Sequence, residues 1–169
     1  MAQDFLEYRY NPIPPYIRET GIFVRARNPL LIPPLVLLTV RNCYIPGWDE
    51  YDQMCAIAFL TPEMAIALSM RLEHCANNMD NDETYGDTFY ERSFRADDLL
   101  PPARVNLYTL YEEDGASAVL ALHNYYPTKK LYAAAEMTSA QCHKVAAALK
   151  AAGDYAMDAH IARVWEQAG

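Results

Sequence analysis

Short apolar runs recur along the chain and predict six β-strands, three in each half. Each run is rich in β-branched or aromatic residues and is bounded by Pro, Gly, Asn or Asp, which is typical of strands. The runs are GIFVRAR (21–27), PLVLLTVR (34–41), MCAIAFL (54–60), RVNLYTLY (104–111), AVLALHN (118–124) and LYAAAEM (131–137).

A helix is predicted directly after the third strand of each half. Thr61 is a good N-cap, Pro62 suits the first helical position, and apolar residues then repeat at helical spacing to about Asn78. Thr138 caps the second helix, and Gln141, three residues later, completes a capping box with it.

The end of the chain predicts a separate final helix over 154–167. Gly153 is expected to end or bend the preceding helix, since glycine is common just past a helix C-terminus. The final helix carries apolar side chains that are expected to dock on the sheet: Met157, Ile161, Val164 and Trp165.

The two strand-to-helix units align at a fixed offset of 77 residues, at which Ala56 meets Ala133. We therefore predict an α+β fold with two βββα halves in pseudo-repeat, formed by residues 21–79 and 103–156. The helices pack on an antiparallel sheet, and a C-terminal helix follows. Few aligned residues are identical, so the alignment supports a similar architecture and leaves common ancestry open.

The remaining segments are an N-terminal arm and a linker. Residues 1–20 are expected to be extended, because Asn11–Pro15 (NPIPP) restricts the backbone to extended or turn conformations. Residues 80–102 form an acidic linker between the halves. Residues 21–169 are long enough for one domain with a sizeable core.

The net charge of −8 is concentrated in the middle of the chain. Between Glu73 and Asp114 there are eleven acidic residues and three arginines, an excess that equals the net charge of the whole chain. A phosphate backbone requires clustered Lys and Arg, so we expect no direct binding of nucleic acid. A protein with a basic surface is the partner that this charge favours.

Apolar runs and cysteines indicate the compartment. No run is long enough to span a bilayer, and the N-terminus lacks the features of a secretory signal, so we expect no membrane association and a cytoplasmic location. The four cysteines form no CxxC pair and are interpreted as reduced thiols. They are Cys43, Cys55, Cys75 and Cys142.

Two segments offer metal ligands. The segment from Asp80 to Glu91 resembles the calcium loop of EF-hand proteins, with oxygen donors at loop positions one, three, five and twelve. Tyr85 stands where that loop needs glycine, so we interpret the segment as a solvated acidic loop. The pairs His74–Cys75 and Cys142–His143 offer zinc ligands, but adjacent helical residues point about 100° apart. We expect no metal and no cofactor.

Catalytic signatures are absent from the sequence. There is no GxSxG, no GxGxxG and no P-loop, and the chain has only six glycines. His123, near the end of a predicted strand, is the best candidate for a general base. Whether the chain is an enzyme therefore stays open, and the sequence favours a non-enzymatic role.

Aromatic residues favour a protein-binding face. The chain has thirteen tyrosines, and Trp48 lies in the loop IPGWDEYD among acids, as an exposed anchor would. The residues expected to bind a partner are Trp48, Asp49, Glu50, Asp80, Asp82, Glu83 and Asp87.

The sequence thus predicts a non-enzymatic acidic binding protein that occupies a basic surface of a target protein. One concrete form is an inhibitor from a phage or mobile element, with an anti-defence role, that presents carboxylates where nucleic-acid phosphates would lie. Two alternatives remain. One is a small enzyme with a site around His123 or the linker carboxylates, and the other is a structural homo-oligomer that exchanges the N-terminal arm between subunits.

Overall fold

The computed structural model describes residues 2–10, 17–27, 34–44, 54–81, 92–94, 103–112, 115–125 and 130–168. Eight strands and two helices follow one another in chain order. They are β1 (Gln3–Tyr10), β2 (Ile17–Ala26), β3 (Val36–Tyr44), β4 (Met54–Leu60), α1 (Pro62–Asp80), β5 (Arg92–Phe94), β6 (Ala103–Glu112), β7 (Gly115–Tyr125), β8 (Lys130–Met137) and α2 (Ser139–Ala168).

The strands form two antiparallel sheets, so the α+β class is confirmed. One sheet has the order β1-β2-β3-β4 and the other the order β5-β6-β7-β8, with α1 following the first and α2 the second. All six predicted strands are present. Each sheet also contains one strand that the sequence analysis did not assign, β1 in the first and the three-residue β5 in the second.

Strand β1 changes the interpretation of the N-terminal arm. Residues 3–10 are extended, as expected, but they pair with β2 of the same chain from Gln3–Ala26 to Tyr10–Thr20. On the inner side, the ring of Phe5 lies 5.5 Å from that of Tyr155 on α2. This part of the arm therefore belongs to the first sheet, and the homo-oligomer by exchange of the arm receives no support from it.

The core forms where alternate strand positions of both sheets meet one side of each helix. A single cluster of fully buried apolar side chains joins the two sheets and the two helices. Its members include Ile22, Val24, Leu38, Val40, Ala56, Ala58, Leu68, Leu72, Leu107, Leu120, Leu122, Ala133, Ala135, Val145 and Leu149.

Both helix starts are capped as predicted. The Thr61 hydroxyl accepts a hydrogen bond from the Met64 backbone N–H at 3.2 Å. The Gln141 N–H donates to the Thr138 hydroxyl at 3.3 Å, and the Thr138 N–H donates to the Gln141 side chain at 2.9 Å. These bonds satisfy backbone groups that a helix start leaves without an internal partner.

The prediction of a separate final helix at 154–167 is wrong, because α2 runs without a break from Ser139 to Ala168. Gly153 is buried inside this helix. A Cβ placed on it would lie 2.8 Å from Cγ1 of Ile66 and 3.0 Å from the carbonyl oxygen of Pro62. Glycine is thus required here by the close approach of α1 and not by a helix end.

The two helices pack against each other in opposite directions. The start of α1 meets Gly153, while the Ser69 hydroxyl near the middle of α1 donates a 2.7 Å hydrogen bond to the Ala146 carbonyl. Further along α1, Glu73 meets His143. Ser69 and Ala146 are 77 residues apart, the offset at which the two halves align.

Two buried asparagines join each sheet to the edge strand of the other. The Asn42 side chain donates to the Ala134 carbonyl and accepts from the Ala134 N–H, both at 2.9 Å. The Asn124 side chain makes the same pair of bonds with Ile57, at 2.7 and 2.8 Å. Since Ile57 lies on β4 and Ala134 on β8, each asparagine pairs a backbone edge that would otherwise be open.

Replacing Asn124 by alanine is expected to destabilise the protein by about 2–4 kcal/mol, because the buried Ile57 N–H and C=O both lose their partner. The measurement is the free energy of unfolding in urea. Asn77→Ala, at an exposed position of α1, is the matched control and should change stability by less than about 0.5 kcal/mol. Equal effects of the two substitutions would contradict a structural role for Asn124.

Replacing Gly153 by alanine is expected to destabilise the protein by about 1–3 kcal/mol, although alanine is the better helix former. The new methyl group must displace Ile66 or the Pro62 backbone. Ala147→Gly, at an exposed position of the same helix, calibrates the intrinsic preference and should cost about 1 kcal/mol. A stabilised Gly153→Ala variant would show that the helices can separate without penalty.

Candidate functional site

Only one of the seven predicted partner-binding residues lies in the described part of the chain. Asp80 is the last residue of α1, and about half of its side chain is exposed. The other six lie outside the described residues: Trp48, Asp49, Glu50, Asp82, Glu83 and Asp87.

Asp80 belongs to a cluster at the end of α1 and the start of α2. His143 Nδ1 lies 2.6 Å from an oxygen of Glu73, and its Nε2 lies 3.5 Å from an oxygen of Asp80. The Asp80 carboxylate also accepts a hydrogen bond from Ser139. The imidazole thus lies between two carboxylates of the neighbouring helix. We call Glu73, Asp80, Ser139 and His143 the helix-end cluster.

Electrostatics in the helix-end cluster favour the charged forms. The hydrogen bond from Ser139, assisted by His143, outweighs desolvation and lowers the pKa of Asp80. Desolvation opposes a positive charge on His143, but the hydrogen bonds and charges of Glu73 and Asp80 prevail and raise its pKa above 6.5. The cluster therefore carries an imidazolium and two carboxylates under mildly acidic conditions.

The cluster is not built as a metal centre. The two carboxylates lie at opposite ring nitrogens of His143 and do not converge on a point between them. No group of three His, Cys, Asp or Glu side chains in the described residues is arranged to hold a metal ion. The proposed calcium loop beyond Asn81 lies outside the described residues, apart from Asp80 itself.

The two His-Cys pairs do not form a joint zinc site. Cys75 and Cys142 are buried between the helices, where desolvation raises the pKa of Cys75 to about 11 and that of Cys142 further. His74 is exposed and His143 faces carboxylates, so each pair points in two directions. Raised thiol pKa values suppress the thiolate that a metal or an electrophile needs.

His123, the candidate general base, lies on the outer face of the second sheet. Its ring contacts that of Tyr132 at 4.6 Å, and desolvation together with the charge of Arg104 lowers its pKa. A shallow cleft of about 390 Å³ lies on the other sheet, over β1 to β4, with Phe23, Leu37 and Ile57 among its lining residues. That cleft and His123 therefore belong to different surfaces.

The sequence analysis misplaced the apolar side chains at the end of α2. None of residues 157–168 is buried, and the exposed fractions are 73% for Trp165, 49% for Val164 and 46% for Ile161. The expectation that these residues dock on the sheet is wrong. We call Met157, Ile161, Val164, Trp165 and Ala168 the exposed row of α2.

Helical phase explains the exposed row and could have revealed it. The buried row of α2 runs through Val145, Leu149, Ala152 and Ala156 in steps of four and three. Continuing the same steps reaches Ala159 and Arg163 and passes by the apolar residues, because successive residues are rotated by 100°. The apolar residues after Gly153 therefore occupy a different side of one continuous helix.

None of the helices in the described residues is long and apolar enough to cross a membrane. Comparisons of the chain with models of known protein families, with curated proteins and with solved structures found no match. The candidate site is therefore defined by its geometry alone: the exposed row of α2, and the helix-end cluster at the opposite end of that helix.

Replacing His143 by glutamine is expected to remove a pH-dependent contribution to stability. Because the folded-state pKa of His143 is raised, its contribution is complete below about pH 6.5 and disappears as the pH rises through the folded value. The contribution of Asp80, whose pKa is lowered, is lost at the acidic end, as the pH falls through its folded value.

The stability difference between wild type and His143→Gln should thus be largest between about pH 4 and 6.5 and should vanish in alkaline solution. Its size should not exceed about 1 kcal/mol, because the ion pair remains in contact with solvent. Urea unfolding across this pH range measures it, with His160→Gln on the same helix as control. A difference that is constant with pH would contradict the role of the imidazolium.

Proposed function

We propose that this chain is a non-enzymatic acidic binding protein that contacts a basic surface of another protein. One observation carries the proposal: the last turns of α2 present a tryptophan and two aliphatic side chains to solvent. Large exposed aromatic residues are typical anchors of protein interfaces, because they bury much area with few rotatable bonds.

Charge beside the exposed row favours a basic partner. Asp154 and Asp158 are exposed, and together with Ile161 and Trp165 they follow one side of α2 in steps of four, three and four. Lys150 pairs with Asp154 at 3.2 Å and offsets part of this charge. With a net charge of −8 for the chain, a partner that brings Lys and Arg to this side gains attraction at longer range as well.

The residues predicted from sequence extend the proposed interface to the loop and linker. Trp48, Asp49, Glu50, Asp82, Glu83 and Asp87 remain proposals, and Asp80 is the member whose surroundings are described. An inhibitor from a phage or mobile element that covers a nucleic-acid site of its target is the specific form we propose. Carboxylates would there take the place of phosphates.

We also propose that the two halves are a pseudo-repeat. In support, Ile57 and Ala134 are 77 residues apart, as are Met54 and Leu131, the residues that pair with Asn42 and Asn124. The two asparagines thus occupy corresponding positions. A repeat of this kind accounts for sheet-to-sheet contacts that look the same from either half.

Charge reversal tests the proposed function. Capture of partners from the native host on immobilised protein, followed by mass spectrometry, is expected to yield a protein with a basic surface. Asp154→Lys with Asp158→Lys should weaken its binding by about tenfold or more, and raising the salt concentration should weaken it further. The matched control, Asp154→Glu with Asp158→Glu, keeps the charge and should bind as wild type does.

Two outcomes would contradict the proposal. One is a captured partner whose affinity depends neither on these charges nor on salt. The other is tight binding of a labelled single-stranded oligonucleotide in the absence of any protein, since we expect no direct contact with nucleic acid.

A further inference from the structure

The exposed row of α2 has the spacing of a helix-docking seam. Met157, Ile161, Val164 and Ala168 follow one another in steps of four, three and four. A row with this spacing stays on one side of a helix over three turns, as the apolar positions of paired helices do. The spacing therefore favours an α-helix as the element that covers the row.

The row lies where α2 has passed its partner helix. The start of α1 packs at Gly153, and the residues after Ala156 include none that is buried. At 1.5 Å per residue the row is about 16 Å long. Trp165, the most exposed large apolar residue in the described part of the chain, lies beside it.

The border of the row is acidic on one side. Asp158 precedes Ile161 by three residues, and Trp165 follows Asp158 by seven, so both flank the same side of the row. Asp154 continues this side one turn earlier and is also exposed. A docked helix would place its own border residues against these carboxylates, where Lys or Arg would be favoured.

A second copy of this chain fits the row less well than a basic helix. In a parallel pair, Asp158 would lie against Asp158 of the second copy, which like charges disfavour. In an antiparallel pair, a seam about 16 Å long buries little of the roughly 1,200 Å² or more that specific, stable interfaces bury. The charge and the short length both favour a different protein.

We infer that the exposed row of α2 binds an amphipathic helix of a partner protein, with Lys or Arg along the border that meets Asp154 and Asp158. This inference rests on the proposed function and names the element through which the basic partner binds. The helix lies along α2 with its apolar side on Ile161, Val164 and Trp165.

A synthetic helical peptide provides the probe. It carries leucines at alternating four- and three-residue spacing with lysines along their border, and a matched peptide has glutamate in place of each lysine. Binding to the full chain is measured by fluorescence anisotropy of the labelled peptide. The lysine peptide is expected to bind at least about tenfold more tightly than the glutamate peptide.

Substitutions at exposed positions locate the contact. Ile161→Ala and Trp165→Ala should each weaken binding of the lysine peptide by about tenfold or more. Met70→Ala, on α1 and 68% exposed, is the matched control and should leave binding unchanged. Unchanged unfolding midpoints of all three variants will show that a lost contact, and not a lost fold, causes any weakening.

The inference is overturned if neither peptide binds, if both bind equally, or if Met70→Ala weakens binding as much as Trp165→Ala. It is also overturned if wild type dimerises without peptide and Ile161→Ala abolishes that dimer. Capture of a native basic partner that is sensitive to Asp158→Lys but not to Ile161→Ala would refute helix docking and leave the proposed function standing. Peptide binding without any charge-dependent native partner would do the reverse.

Discussion

The structure depends on how the edge strands β4 and β8 are closed. An edge strand exposes unpaired N–H and C=O groups, and burying them without partners is costly. Asn42 and Asn124 supply those partners across the two sheets, each with one donor and one acceptor on the same amide. Neither half has this pairing without the other, so the two sheets and two helices share one core.

Much of the fold could be predicted from sequence because its signals are local. The six strands and both helix starts follow from apolar runs, turn residues and caps, and the hydrogen bonds of Thr61 and Thr138 agree with that reading. Strand β1 was missed because its sequence QDFLEYRY is mixed and charged. Its place in the sheet depends on pairing with β2, which the local pattern does not encode.

The errors at α2 have one cause. Gly153 was interpreted from its general preference for helix ends, whereas its position is set by the approach of Ile66 and Pro62 from another helix. Breaking the helix there also lost its rotational phase, so the apolar residues beyond were assigned to the wrong side. The asparagine contacts and the environment of His143 were likewise invisible, since each depends on residues distant in sequence.

The unequal lengths of the paired helices have a consequence for stoichiometry. Helix α1 has 19 residues and α2 has 30, although the halves to which they belong have the same strand order. In an assembly of two identical chains, any extension would appear twice and could bridge two targets. A single chain with one long helix carries the extension once, so it forms a one-to-one complex and does not cross-link the molecules it binds.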